Sequence, residues 1–138
     1  MIIDATNLIA GRIGTYVAKK ALQGEEITIV NAEKAVIVGD KKKILAEYKR
    51  RRERGSPMVG PFFPRQPDRF LKRTIRGMLP YKQPRGVKAY KAIKCYMGVP
   101  REFEGKETQT ISNANVEKVM NSKFLSVKDI CSYLGGSI

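Results

Sequence analysis

Over the first forty residues, short apolar runs alternate with one stretch of helical period. Residues 2–5, IIDA, form a compact run of the kind a buried strand shows. Ile9, Ile13, Val17 and Ala21 then recur at every fourth position, which predicts a helix with one apolar face. Asn7 is placed to cap that helix and Gly24 to close it. ITIVNA at 27–32 predicts a second strand, and AVIVG at 35–39 is a third apolar run. Strand, helix and strand at this spacing predict a βαβ unit, and so a parallel sheet flanked by helices.

From residue 40 the apolar positions thin out. Asp40 can cap a helix running to about Arg54 and ended by Gly55, with Ile44, Leu45 and Tyr48 as its apolar face. GSPMVGPFFPRQP at 55–67 carries Pro57, Pro61, Pro64 and Pro67, which excludes a regular element. Phe62 and Phe63 inside it either anchor the segment to the domain or stack on bases; anchoring is the favoured alternative. Asp68 and its successors start a helix with Phe70, Leu71 and Ile75 on one face and Gly77 as its stop. VKAYKAI at 87–93 predicts a short basic helix, and KCYMG at 94–98 a last strand. REFEGKE at 101–107 is a loop of balanced charge. Near the end Ser126 and Asp129 have capping-box spacing, opening a helix with Ile130, Cys131 and Leu134 that Gly135 and Gly136 stop. No internal repeat and no second domain is visible. The expectation is one α/β domain over 1–138 with a basic, proline-rich loop at its centre.

Charge changes this picture by its placement. The chain has 27 Lys and Arg against 13 Asp and Glu, for a net charge of +14. Residues 1–40 carry a net −1 and residues 95–138 a net zero, so residues 41–94, with eighteen cations and three anions, hold the whole excess. Such a cluster repels itself and opposes compaction, a cost that a dense polyanion would turn into a gain. Lys41, Lys42 and Lys43 sit in a predicted first turn, where the helix dipole disfavours cations, so local folding does not account for them. Lys49, Arg50, Arg51, Arg52 and Arg54 lie at the favoured end. Nucleic acid is the leading partner, with an anionic membrane surface behind it. A membrane surface would want a continuous bulky apolar face, and arginines spread over several helices suit a folded RNA better. The candidate RNA contacts are Lys41, Lys42, Lys43, Lys49, Arg50, Arg51, Arg52, Arg54, Arg65, Arg69, Lys72, Arg73, Arg76, Lys82, Arg85 and Lys88.

Other chemistry is thinly provided for. There is no histidine, which removes Ser-His-Asp and Cys-His nucleophile activation. Cys95 and Cys131 are the only cysteines, too few for a zinc site, and read as buried reduced thiols. Gly11 and Gly14 follow the first strand but offer only G-x-x-G, without the acid that a dinucleotide site needs after its second strand. Their expected role is close packing of the helix on the sheet. No cofactor, metal or small-molecule substrate is expected. MIIDATNLIAGR lacks the features of a secretory signal, and no run approaches a membrane span, so a soluble intracellular protein is expected.

Taken together, DAT…GR…A, IVNAEK running into VGDK, RGMLP within RTIRGMLPYKQPRG, and KCYMG resemble the universal large-subunit ribosomal protein L-thirteen family. PFFPRQPDRFLKRTIRGMLP is similar to the archaeal and eukaryotic branch, and with no long C-terminal extension the archaeal type is the expectation. The resemblance implies a parallel four-stranded sheet between helices and no enzymatic activity. It implies a structural role in the cytoplasmic ribosome, binding 23S-type ribosomal RNA beside other large-subunit proteins. Within 76–86, Met78 and Leu79 are then expected to pin the loop, and Pro80 and Pro84 to stiffen it. Arg76, Lys82 and Arg85 would reach phosphates, with Gly77 and Gly86 allowing close backbone approach. The alternatives are a regulatory RNA-binding protein acting off the ribosome and an RNA-modifying or nucleotide-dependent enzyme.

Overall fold

The structure, a computed structural model, describes residues 1–120 and 123–138. Strand β1 (Ile2–Asp4) leads into helix α1 (Ala10–Leu22) and strand β2 (Ile27–Val30). β1 and β2 pair in parallel, Ile3 opposite Ile29, so the βαβ unit forms as its spacing predicts. The side of α1 carrying Ile13, Val17 and Ala21 is buried. Asn7 does not cap this helix. Ile9 holds the cap position, while Asn7 takes a left-handed φ of 57° and receives the amide of Val116 on its carbonyl.

The parallel sheet has three strands, in the order β1-β2-β4, with β4 (Ile93–Cys95) on the far side of β2. The third apolar run, β3 (Val36–Val38), leaves that sheet and pairs antiparallel with β5 (Phe124–Ser126). The expected four-stranded parallel sheet is therefore corrected to a three-stranded one and a separate two-stranded ribbon. The reason lies in the connection. Only a 3-10 turn at Ala32–Lys34, entered through left-handed Asn31, separates β2 from β3. A parallel neighbour needs a crossover of roughly a dozen residues or more, which this link cannot supply.

Asn31 belongs to a small network at the carboxyl end of the sheet, where open α/β sheets commonly take ligands. Asp4 Oδ1 accepts from the Thr6 amide, from Thr6 Oγ1 at 2.7 Å and from Asn31 Nδ2 at 3.0 Å. Side chains thus fill the position that a nucleotide would want. Partial burial acts to raise the Asp4 carboxyl. The hydrogen bonds from Thr6 and Asn31, helped by the charge of Lys34, outweigh it and hold Asp4 below its ordinary value. A depressed folded-state value contributes stability above the unfolded carboxylate pKa of about 3.9, and this contribution fades as pH falls through the folded value. Wild type should therefore exceed Asp4→Asn in urea midpoint near neutrality, with the gap closing as pH falls below the unfolded value of about 3.9 and through the lower folded one. A gap independent of pH would show that the Asp4 charge does not act this way.

The basic middle of the chain forms three helices. α2 (Lys41–Glu53) has no fully buried residue, although Ile44, Leu45 and Tyr48 pack on the core. Residues 54–66 form neither helix nor strand apart from a bridge between Ser56 and Gly60. α3 (Pro67–Arg76) and α4 (Pro84–Lys91) each begin on a proline at the first helical position. Proline suits that position because its missing N–H would have no helical partner. Pro67 thus starts a helix rather than ending a loop, α4 begins before residue 87, and Ile93 belongs to β4. α1 packs against α3 and α4, and α3 against α5 (Val127–Tyr133) and β4. The Ser126 hydroxyl caps α5 at the predicted spacing by accepting from the Asp129 amide, while Asp129 Oδ2 accepts from that hydroxyl at 2.7 Å where a capping box has it meet the Ser126 amide.

Two glycine expectations change. Gly11 faces open space, and a Cβ on Gly14 would meet the Met78 thioether beyond the end of α3, so neither glycine serves sheet contact. Gly86 is buried, and a Cβ there would strike the main-chain carbonyl of Pro80. It serves packing of the 79–83 turn onto α4, not approach to RNA. Leu79, 4% exposed, does pin this turn to the core. Gly86→Ala should gain about 0.8–1 kcal/mol of helix propensity. Displacing main chain costs about 1–3 kcal/mol, so a net loss of up to about 2 kcal/mol should appear as a lower urea midpoint at unchanged m-value. A raised midpoint would refute the packing role.

Candidate nucleic-acid interface

The candidate surface depends on how three segments meet. Phe70 of α3, 1% exposed, has its ring centroid 5.0 Å from that of Tyr48 in α2 and 5.7 Å from that of Phe63. The Tyr48 and Phe63 rings are themselves 5.8 Å apart. This trio draws α2, the proline-rich segment and α3 together and leaves their cations on the outside. Two adjoining open clefts result. One, of about 600 Å³, is lined by Arg50, Arg51, Arg54 and Arg73 with Pro61, Phe62, Phe63 and Thr74. The other, of about 520 Å³, is lined by Arg65, Arg69, Lys72, Arg73 and Arg76 with Tyr90. Phe62, Phe63 and Arg73 belong to both.

Eight cations thus surround a continuous region whose lining includes a single acid, Glu47. Hydrogen bonds from Arg50 and Arg51 hold the Glu47 carboxyl below its usual range. Among the described residues, Lys49, Arg50 and Arg51 alone of the eighteen cations in 41–94 pair with a carboxylate. The excess charge is therefore uncompensated in space as well as in sequence. Several cations rest on rings instead. Arg51 lies 5.3 Å from the Tyr48 centroid, Lys72 lies 4.9 Å from that of Tyr90, and Arg76 lies 4.8 Å from that of Tyr81. Such stacking limits the freedom of long side chains and lowers the entropy lost when they engage an anion.

The remaining candidates lie elsewhere. Lys41, Lys42 and Lys43 are exposed in the first turn of α2 and line neither cleft. Lys49 pairs with Glu53 at 3.9 Å. Arg52 Nη1 stands about 3.8 Å from where a Cβ of Gly135 would be, and Nη1 of Arg65, which also lines the second cleft, about 3.7 Å. Both guanidinium groups therefore lie at the C-terminal end of α5, where the helix dipole gives them a folding role. Lys82 is exposed in the turn before α4, and Arg85 donates to Gln83 Oε1. Arg85 and Lys88 line a third groove with Lys91, beside the end of α1. Lys91 escaped the sequence analysis, yet it continues the three-residue spacing of Arg85 and Lys88 on one helix. That spacing was the available signal.

The rest of the molecule supplies little reactive chemistry. Burial pushes the Cys95 and Cys131 thiols up to about 12, so both remain protonated. No group of three His, Cys, Asp or Glu among the described residues could hold a metal ion. No helix among them is long and apolar enough to cross a membrane.

Fold and surface together define a small basic α/β protein with an arginine-lined double cleft. The ribosomal protein L13 family profile matches residues 1–102. Large ribosomal subunit protein uL13 of Methanosarcina barkeri is 51% identical over 135 residues, covering 97% of this chain and 96% of its own. The uL13 protein of Archaeoglobus fulgidus is 47% identical, with 97% and 86% covered. That of Methanococcus maripaludis is 44% identical, with 98% and 97% covered. This chain belongs to the ribosomal protein L13 family.

Proposed function

We propose that this chain is a structural constituent of the large ribosomal subunit, binding 23S-type ribosomal RNA beside other large-subunit proteins in the cytoplasmic ribosome. It acts as a scaffold and not as an enzyme. Family membership supports this role. The observation that carries the RNA contact is the double cleft, with eight cations around one already-neutralised carboxylate. Guanidinium groups engage phosphate in bidentate fashion, and A-form grooves offer side chains little sequence to read, so recognition proceeds through phosphate position and RNA shape. Supporting contacts come from Arg85, Lys88 and Lys91 on α4. If about eight cations meet phosphates, log affinity should fall against log salt with a slope of roughly −6 to −7.

The deciding experiment is sedimentation of native lysate through a sucrose gradient before and after a high-salt wash, with this chain quantified. One copy per large subunit, retained after the wash, is the expected result. Recovery mainly at the top of the gradient would overturn the ribosomal assignment and favour a regulatory RNA-binding protein acting off the ribosome.

A further inference from the structure

Phe62 and Phe63 are neighbours in sequence with opposite environments. Phe63 is half-buried in the aromatic trio and already anchors the proline-rich segment. Phe62 leaves 69% of its surface exposed, and it stands where the two clefts meet. One edge of its ring rests on Gly60: a Cβ there would lie 3.1 Å from Cδ2 and 3.2 Å from Cε2. The ring is therefore backed by main chain on one edge and open elsewhere. Neither the core nor the anchoring of the segment needs it, and a phenyl ring offers a phosphate no donor. An apolar ring set among guanidinium groups instead suits a flat base whose flanking phosphates reach the arginines. Bases within an A-form duplex are stacked on one another and cannot reach it, whereas an unpaired base can. Clefts of about 600 and 520 Å³ fall in the size range of ligand sites, roughly 300–1,000 Å³.

We propose that Phe62 stacks on one unpaired base of the bound RNA, with Arg54 of the first cleft, Arg69 of the second and Arg73, which lines both, holding the adjacent phosphates. The inference rests on the RNA-binding function proposed above and adds the class of nucleotide taken. A ring without donors or acceptors reads no base identity, so the site accepts any base.

The test uses the full chain and two probes: a ten-nucleotide oligouridylate with a central 2-aminopurine, and a blunt ten-base-pair RNA duplex. Wild type should bind both and quench the 2-aminopurine fluorescence. Phe62→Leu, at an exposed position, should keep its melting temperature and duplex affinity. It should lose the quenching and bind the single strand about tenfold more weakly. Phe62→Trp should restore both. If Phe62→Leu quenches and binds the single strand like wild type, stacking is refuted while the arginine surface stands. If wild type binds neither probe, the RNA-binding reading itself fails and the stacking site falls with it.

Discussion

Replacing Phe70 with alanine is expected to destabilise the protein by about 3–5 kcal/mol and to remove most of its RNA affinity as a consequence. The side chain is 1% exposed and touches rings from two other segments, Tyr48 and Phe63. Truncation removes its transfer free energy, leaves a cavity, and breaks two aromatic contacts worth about 0.5–1.5 kcal/mol each. Domains of this kind are stable by roughly 5–15 kcal/mol in total, so the variant would sit near the edge of unfolding. The functional consequence follows from position. α2 has no fully buried residue, so Tyr48, with Ile44 and Leu45, supplies much of its attachment. Loosening that joint separates Arg50, Arg51 and Arg54 from Arg73 across the first cleft. Chemical denaturation and RNA binding on the same preparation check both halves. Phe70→Leu, which refills much of the volume, should recover most of the stability. A Phe70→Ala loss below about 1 kcal/mol would mean the trio does not hold the face together.

The same joint shows what sequence can and cannot reveal. β1, α1 and β2 were legible because their signals are local: a short apolar run, a four-residue period and a second run. The Ser126 and Asp129 cap was legible for the same reason. β3 and β5 were not resolved as partners because each has three residues, and their pairing joins positions nearly ninety apart. Pro67 and Pro84 misled because one residue type both ends loops and opens helices, and only the chain that follows decides which. At the candidate interface, the block 41–94 stood out by charge alone. Its division into clefts, a third groove and an isolated lysine turn depends on helix packing that charge does not encode. The split fates of Phe62 and Phe63 belong to the same category, since identical neighbours differ only through the tertiary contacts of Phe70.

Changing Arg69, Arg73 and Arg76 together to glutamine should weaken RNA binding by about two orders of magnitude at 0.1 M salt and make the salt slope shallower by about 2–3. These positions recur along α3 on the side away from Phe70, Leu71 and Ile75, which are buried. All three line the second cleft, and Arg73 lines the first as well. Glutamine keeps helix propensity, and none of the three pairs with a carboxylate, so folding stability should change little. A matched triple change of Lys41, Lys42 and Lys43 to glutamine removes the same charge outside the clefts. If net charge alone drove association, the two triples would be equivalent, because a long-range field depends little on which cations produce it. If the clefts hold phosphates, the α3 triple should flatten the slope far more than the α2 triple, since counterion release counts the phosphates actually neutralised. Equal slopes in the two variants would reduce this face to a diffuse positive field. Unequal slopes in the expected sense would tie the affinity to the geometry that Tyr48, Phe63 and Phe70 impose.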